Sequence, residues 1–382
     1  MHTRVCVVSF PFRPGVDSPV PLDNLIQILE PLVKNVIIIT SNIPLKDLPS
    51  NVICRNIAWE YKATSLPSRL IRNFLTQVKY SNMLIKSTRT HDIIIFLGAS
   101  TFVIPIFVAR LLSRPPILIA TTSETGMIRY SSTRTNMNLY SIPSYVVAFI
   151  ENLNWSLANT IIVYSPNFIK EWNLERHARK IKISHRHFVN TSLFAITKPI
   201  DRRTNSIGFV GRFSKEKGIE NFIEAASILL KAGENIDFFI YGSGEMRDGI
   251  ETYISQNGFD EKVHVIGWVP HKELSKYLND LKLIVIPSYT EGLPNIMVEA
   301  MACGTPVLAT DVGSIRDFII DGKTGFILPN NNPESISDNI LRAINYPALK
   351  VISLNSRSLV EAEFTYSAAI KRWSSILEGI NN

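Results

Sequence analysis

The sequence predicts an α/β protein built from two doubly wound domains that face each other across a cleft. Short apolar runs rich in β-branched residues alternate with helical stretches, a pattern typical of parallel sheets covered on both faces. These runs fall into two series, separated by a charged and less regular stretch at 175–205. A chain of 382 residues is long enough for two domains that each bury a core.

The strands can be placed from these apolar runs. The first series predicts strands at Val5–Phe10, Val36–Thr40, Ile93–Leu97, Ile117–Thr121 and Thr160–Tyr164. The second predicts strands at Ser206–Val210, Ile236–Tyr241, Val263–Ile266, Leu283–Pro287, Val307–Thr310 and Gly325–Leu328. Residues 1–198 are therefore assigned to the first domain and residues 199–363 to the second.

Composition excludes several classes of protein and suggests a charged partner. The chain is 46% hydrophobic and 19% charged, which excludes a disordered chain, a collagen-like chain and a coiled coil. Its net charge of +7 is uneven, because residues 1–200 hold 22 Lys and Arg against 10 Asp and Glu, whereas residues 201–382 hold 18 against 23. A basic half indicates a polyanionic partner, namely nucleic acid, an anionic membrane or a phosphorylated small molecule.

Cysteine and histidine usage predicts neither disulfides nor a metal site. Cys6, Cys54 and Cys303 are far apart, and with no secretory signal evident they indicate a reducing, cytoplasmic compartment. We expect the pair His185 and His187 to lie in a solvated basic loop. The longest uncharged run, 93–109, is shorter than the ~20 residues of a membrane-spanning helix.

The most informative segment runs from Leu283 to Thr310. A buried strand is followed by a polar turn with Glu291 and by a helix from Pro294, expected at its first position, to Ala302. The start of this helix lies at the carboxyl edge of the sheet, where open α/β folds bind ligands and where free N–H groups attract anions.

The two carboxylates of this segment, Glu291 and Glu299, admit three interpretations. A glycosidase pair needs roughly 5 Å or 6.5–9.5 Å between carboxyl groups, whereas eight helical residues span on the order of 12 Å. Alternatively, Glu291 caps the helix and Glu299 forms a surface pair. In the third interpretation the carboxylates contact opposite ends of an elongated ligand, with one near a sugar and the other at a ribose diol.

A second segment supplies two cations at the same sheet edge. After the strand at 206–210, Arg212 and Lys217 flank a strand-to-helix loop that lacks the Walker pattern. A planar guanidinium and an ammonium suit a diphosphate. The turn Tyr241–Glu245 adds small residues that let the backbone approach a ligand.

Together these motifs resemble those of the family-4 retaining glycosyltransferases, which have the GT-B fold of two Rossmann-like domains. The resemblance covers residues 206–345 and rests on GFVGRFSKEKG at 208–218, IYGSGE at 240–245, VIGWVP at 265–270 and the long run from Glu291 to Leu328. That run contains the E-x7-E element, formed by Glu291 and Glu299.

The resemblance implies transfer of a sugar from a nucleotide-diphosphate sugar to an acceptor hydroxyl, with retained configuration and no required metal or cofactor. Arg212, Lys217 and Glu291 would be catalytic, with both cations on the diphosphate and Glu291 on the donor sugar. Glu299 would hold the ribose. The other donor-binding residues it implies are Gly211, Gly242, Gly292, Leu293, Pro294 and Asn295. A C-terminal helix at about 364–382 would pack back on the first domain, which would bind a glycan or lipid-linked acceptor of cell-surface glycan biosynthesis.

The N-terminal half departs from the family pattern at two points. The first loop has one glycine, Gly15, where many members have a pair. The loop after the strand at 117–121 lacks the histidine that many family members have there. In one interpretation, Glu124 takes the place of this histidine. A solvated loop acid is the alternative interpretation of Glu124.

A basic helix is predicted at residues 68–88. Arg69, Arg72, Lys79 and Lys86 share a stripe beside Ile71, Phe74, Val78 and Ile85. Such a helix can lie on an anionic bilayer, which predicts peripheral association with the inner face of the membrane. In the alternative, the apolar face packs on the sheet and the cations are merely solvated.

The sequence leaves two other functions open. A non-catalytic nucleotide-sugar-binding protein of the same fold would bind donors without turnover. A nucleic-acid-binding protein would show a steep dependence of affinity on salt, but the concentration of basic residues in one half favours lipid, so no nucleic-acid partner is expected. An NAD-dependent enzyme is disfavoured because no G-x-G-x-x-G follows the first strand.

Overall fold

In a computed structural model, the described residues are 3–9, 11, 20–43, 48–58, 66–88, 91–98, 102–112, 117–120 and 144–381. The chain divides into two compact units, one of residues 1–186 and 369–382 and one of residues 187–368. This boundary precedes the predicted one because the segment after residue 186 is bonded within the second unit. For example, the N–H of Thr197 donates to Asn279 Oδ1 over 2.8 Å.

The first unit contains a parallel sheet whose described strands lie in the order β3-β2-β1-β4-β5-β6-β7. The strands are β1 (Arg4–Ser9), β2 (Asn35–Thr40), β3 (Val52–Asn56), β4 (Ile93–Leu97), β5 (Ile117–Ala120), β6 (Thr160–Val163) and β7 (Ile181–Ile183). Five of these match predicted strands. The strands β3 and β7 were missed because each lies at an edge of the sheet and is only partly buried.

Helices connect these strands. They are α1 (Val20–Leu29), α2 (Leu66–Thr88), α3 (Val103–Leu111), α4 (Ser144–Leu157) and α5 (Asn167–Glu171). The helices α2, α3 and α4 all connect strands in the same direction along the sheet, so right-handed crossovers place them on one face. The helix α3 packs between α2 and α4. No helix among the described residues is both long and apolar enough to span a membrane.

The second unit contains a parallel sheet of order β10-β9-β8-β11-β12-β13 within its described residues. The strands are β8 (Ser206–Val210), β9 (Asp237–Tyr241), β10 (Val263–Gly267), β11 (Leu283–Ile286), β12 (Val307–Thr310) and β13 (Phe326–Leu328). All six were predicted. The central pair β8 and β11, which the site uses, is buried because apolar side chains cover both faces of the sheet.

The helices of this unit follow its strands. They are α6 (Ile219–Lys231), α7 (Arg247–Gln256), α8 (His271–Asp280), α9 (Asn295–Ala302), α10 (Ile315–Phe318), α11 (Pro333–Ile344) and α12 (Leu349–Glu363). The helices α6 and α11 pack together and contribute Phe222, Ile223, Ile336 and Ile340 to the core.

The final helix, α13 (Tyr366–Asn381), passes from one unit to the other. From Ala369 onward it belongs to the first unit, where Trp373 is buried and its indole N–H donates to the carbonyl of His185. The same packing corrects the prediction for the His185–His187 loop. Both histidines are buried, not solvated.

Candidate donor site at the carboxyl edge of the second sheet

The loop after β8 carries the two predicted cations. Arg212 follows the strand and pairs with Glu216 at 3.1 Å, with half of its side chain exposed. Lys217 ends the loop, and Gly218 then adopts φ of 70° before α6 begins. A Cβ at Gly218 would collide with the carbonyl oxygen of Pro287, so glycine lets this loop lie against the end of β11.

Lys217 reaches across to the turn after β11. Its Nζ lies 2.7 Å from Oε1 of Glu291, and the Ser288 hydroxyl donates to the same oxygen over 2.7 Å. Only 9% of the Glu291 side chain is exposed. Two predicted site residues 74 positions apart in sequence therefore form one partly buried ion pair, because β8 and β11 are neighbouring strands.

The backbone around Glu291 is fixed by the loop after β12. The N–H and hydroxyl of Ser314 donate to the carbonyl of Gly292 over 3.0 and 2.5 Å. Gly313 adopts φ of 60°, and a Cβ there would collide with the carbonyl of Glu291. Thr310 donates to the carbonyl of Ser288 over 2.5 Å. Sequence reasoning missed these supports, because the loop after β12 carries only small, common turn residues.

The helix α9 begins one residue later than predicted. Pro294 has ψ of 122°, which is extended, so it occupies the N-cap position and Asn295 is the first helical residue. Pro294 makes no side-chain cap, and the Glu291 carboxylate bonds to Lys217 and Ser288. The interpretation of Glu291 as a helix cap is therefore wrong. Leu293 is buried beneath the turn.

Glu299 lies on α9 and pairs with His271, the first residue of α8. The Nε2 of His271 is 2.7 Å from Oε1 of Glu299, and this hydrogen bond raises the pKa of the imidazole. The ring of Phe194 packs against the imidazole at 5.2 Å. His271 was missed from sequence, because 28 residues separate it from Glu299 and no motif links them.

Three side chains donate hydrogen bonds to backbone carbonyls at the C-terminal end of α9. Arg357 donates to the carbonyl of Ala302, Arg203 to that of Cys303, and Ser353 to that of Gly304. Two of these donors are cations at the negative end of the helix dipole. They fix the far end of the helix whose first turn adjoins Glu291.

Gly242 closes the other side of the β8 loop. Its N–H donates to the carbonyl of Gly267 over 2.7 Å, and a Cβ at Gly242 would collide with the carbonyl of Gly211. The N–H of Gly211 donates in turn to the carbonyl of Tyr241. The two predicted donor-binding glycines therefore lie in backbone contact where β8 and β9 end.

The remaining predicted residues divide into two groups. Arg212 lies on the same loop as Lys217 and pairs with Glu216, whereas Lys217 pairs with Glu291. Gly15 and Glu124 lie outside the described residues. Within the described part of the chain, no three His, Cys, Asp or Glu side chains are grouped as a metal site.

The fold of the chain is that of the GT-B glycosyltransferases, with two Rossmann-like domains. Sucrose-phosphate synthase from Thermosynechococcus elongatus superposes with a TM-score of 0.78 at 21% identity, over 99% of each chain. HepE from Anabaena, in complex with UDP, superposes with a TM-score of 0.71 at 15% identity, over 98% of this chain and 100% of that one.

Residues 195–357, all within the second unit, match the model of the family described as Glycosyl transferases group 1. Over 162 residues the chain is 32% identical to alpha-D-kanosaminyltransferase from Streptomyces kanamyceticus, and the match covers 42% of each chain. Over 164 residues it is 32% identical to the capsular polysaccharide biosynthesis glycosyltransferase CapM from Staphylococcus aureus, again over 42% of each. These matches span less than half the length of either relative.

Proposed function

We propose that this protein is a retaining glycosyltransferase of the family-4 type. It moves a hexose-type sugar from a nucleotide-diphosphate sugar to the hydroxyl of a lipid-linked or polysaccharide acceptor in cell-surface glycan biosynthesis. The observation that carries the proposal is the ion pair of Lys217 with Glu291, which lies beside the first turn of α9.

The diphosphate is proposed to bind between the β8 loop and the start of α9. Lys217 and Arg212 bring two positive charges to this edge of the sheet, and the first turn of α9 adds backbone N–H groups and the positive end of a helix dipole. The backbone from Gly292 to Asn295 and the Glu291 carboxylate contact the donor sugar. Binding of a diphosphate would give Lys217 a second anionic partner beside Glu291.

In the proposed reaction, the bond between the anomeric carbon and the diphosphate oxygen breaks while the acceptor oxygen bonds to the same face of that carbon. Negative charge grows on the departing nucleoside diphosphate, where Lys217, Arg212 and the α9 N–H groups stabilise it. The departing phosphate accepts the proton of the acceptor hydroxyl. We propose that no metal ion or cofactor is needed.

Glu299 is proposed to accept hydrogen bonds from the ribose diol. It lies about one turn along α9 from Asn295, the first helical residue beside the proposed diphosphate position. His271 holds the carboxylate at 2.7 Å and so orients it toward the ligand. The neighbours support a nucleotide-sugar donor, since HepE is described in complex with UDP and with UDP-glucose.

We further propose that the first unit binds the acceptor and that the protein works in the cytoplasm at the inner face of a membrane, with the basic helix predicted at 68–88 in contact with anionic lipid. In this proposal Gly15 and Glu124 are the site residues of the N-terminal domain, with Glu124 in the place of the family's histidine at the donor sugar. The relative named for capsular polysaccharide biosynthesis supports a glycan acceptor.

A donor screen followed by product analysis tests the proposal. Thermal shift with a panel of nucleotide-sugars identifies the donor, and transfer is then assayed on lipid-linked and soluble acceptors, with and without EDTA. We expect a glycoside with the donor's anomeric configuration and strong loss of transfer in Arg212→Ala and Glu291→Ala. Donor binding without turnover, unchanged in both variants, would indicate a binding protein and contradict the proposal.

A further inference from the structure

The helix α2 is turned with its apolar side to solvent. Ile71 is 60% exposed and Phe74 57%, and Leu70, Leu75 and Ile85 are also exposed. A helix on a sheet normally buries such residues. The apolar face of α2 therefore does not pack on the sheet, which was one of the two interpretations of its sequence.

The buried side of α2 carries Leu84 and the ring of Tyr80 together with polar groups that have partners. The hydroxyls of Tyr80 and Ser41 lie 2.8 Å apart, and Gln77 Oε1 accepts the N–H of Ile104 over 3.0 Å. Thr76 and Ser81 are also buried. These contacts fix α2 against the first unit and against α3, and they leave the apolar stripe facing outward.

The neighbouring helices extend the apolar surface. On α3, Phe107 and Leu111 are 49% and 65% exposed, and on α4, Phe149 and Leu153 are 70% and 39% exposed. Each pair is spaced by four residues and so shares one helix face. Since α2, α3 and α4 lie side by side on one face of the sheet, their apolar stripes form one layer, called here the three-helix surface.

The charges of this surface are of one sign. The three helices contain a single acidic residue, Glu151, and it is buried. On α2, Arg72, Lys79 and Lys86 recur every seven residues and so form one row along the apolar stripe. Apolar side chains flanked by cations, with no exposed acid, are complementary to the headgroup boundary of an anionic bilayer.

We propose that the three-helix surface of α2, α3 and α4 inserts its apolar side chains into an anionic lipid bilayer, with the Arg72, Lys79 and Lys86 row at the lipid phosphates. A second copy of the chain fits less well, because a twofold interface would bring two like-charged rows together. This inference deepens the proposed function and rests on its membrane-linked acceptor. In this inference the membrane contact is made by the apolar stripes of three helices and not by a single basic helix.

Flotation of the full chain with vesicles tests this inference without using donor or acceptor. We expect binding to vesicles of phosphatidylcholine with about 30% phosphatidylglycerol, weakened at high salt, and at least about tenfold weaker binding to pure phosphatidylcholine. The variant Phe74→Ser/Phe107→Ser/Phe149→Ser should lower affinity for the anionic vesicles by at least about tenfold. Lys79→Glu/Lys86→Glu should lower the affinity for the anionic vesicles by about fivefold or more for each cation replaced.

Matched controls lie on the second unit. Val351→Ser/Leu354→Ser changes two α12 residues that are 54% and 53% exposed, and Lys231→Glu/Lys323→Glu changes two exposed lysines. Both controls should float like the wild type, and thermal unfolding should show that every variant is folded. Transfer to a soluble acceptor should be unchanged in all four, so failure of the membrane contact is distinguishable from failure of the transferase proposal.

Three outcomes would overturn the inference. The wild type could fail to float with anionic vesicles, or the three serines could have no greater effect than the Val351 and Leu354 control. A stable dimer without lipid that the three serines dissociate would assign the surface to a second copy instead.

Discussion

The ammonium of Lys217 lies 2.7 Å from a carboxylate oxygen of Glu291, although the two residues belong to different strand-to-helix connections. The pair exists because β8 and β11 are parallel neighbours, so the loops that follow them leave the same edge of the sheet. It links the cation assigned to the diphosphate with the carboxylate assigned to the donor sugar.

Replacing the carboxylate tests the role of Glu291. Glu291→Gln keeps the size of the side chain and can still accept from Ser288, but it removes the negative charge beside Lys217. We expect kcat/KM for the donor to fall about 10²-fold, in the range of lost electrostatic contacts at active sites. Initial rates against donor concentration measure this. Glu220→Gln, at an exposed position on α6, should leave the rate unchanged, and an equal effect in both variants would contradict the assignment.

A side chain at Gly218 is expected to destabilise the fold. Gly218→Ala introduces a Cβ against the carbonyl of Pro287 at a residue with φ of 70°. Gly233→Ala is a matched control, because Gly233 has φ of 83° but open space around it. We expect a loss of about 3 kcal/mol or more in the free energy of unfolding for Gly218→Ala and about 1 kcal/mol for the control. Urea unfolding would contradict this if the two losses were equal.

Buried Arg203 is predicted to be irreplaceable by lysine. Its guanidinium donates to the carbonyls of Leu281 and Cys303 and to the Thr305 hydroxyl, and burial lowers its pKa to about 10. A lysine cannot supply this fork of donors. Arg203→Lys should therefore cost about 2–4 kcal/mol in the free energy of unfolding, because buried carbonyls lose their donors.

The adjacent Arg202 provides the control for that measurement. It is exposed, so Arg202→Lys should change the free energy of unfolding by less than about 0.5 kcal/mol. Chemical unfolding of both variants would contradict the assigned role if Arg203→Lys were as mild as Arg202→Lys.

The pair of His271 and Glu299 predicts a pH-dependent stability. The pKa of His271 is raised in the folded state, so the pair stabilises the fold fully below the ordinary histidine value of ~6.5. That stabilisation is lost as pH rises through the raised value. Glu299→Gln should therefore lower the free energy of unfolding at about pH 5.5 but not at about pH 8.5. The loss should be under about 1 kcal/mol, because the His271 side chain is largely exposed.

Unfolding of the wild type and Glu299→Gln at both pH values measures this difference. Glu273→Gln changes an exposed acid in the first turn of the same α8 helix and should show no such pH dependence. A Glu299→Gln effect of equal size at both pH values would contradict the assignment.

Apolar patterning predicted every strand of the second sheet, because each is a short apolar run, and in β8, β11 and β12 that run is almost wholly buried. It missed β3 and β7, whose edge positions leave mixed side chains half exposed. The motifs that contain Glu291, Glu299, Arg212 and Lys217 predicted the site segments, and the structure places Lys217 beside Glu291. Sequence could not supply the partners His271 and Arg357, since contacts between helices depend on tertiary packing. Nor could it orient α2, because Thr76 and Gln77 of this helix are buried whereas Ile71 and Phe74 are exposed.

The rate of nucleoside diphosphate release from the matched donor, in the presence of acceptor, tests most directly whether Lys217 serves a departing diphosphate. We expect Lys217→Ala to lower kcat/KM by about 10²–10³-fold. Lys215→Ala, at an exposed position two residues earlier, should act like the wild type. Equal rates for wild type and Lys217→Ala, with both variants folded, would contradict the assignment of the donor site.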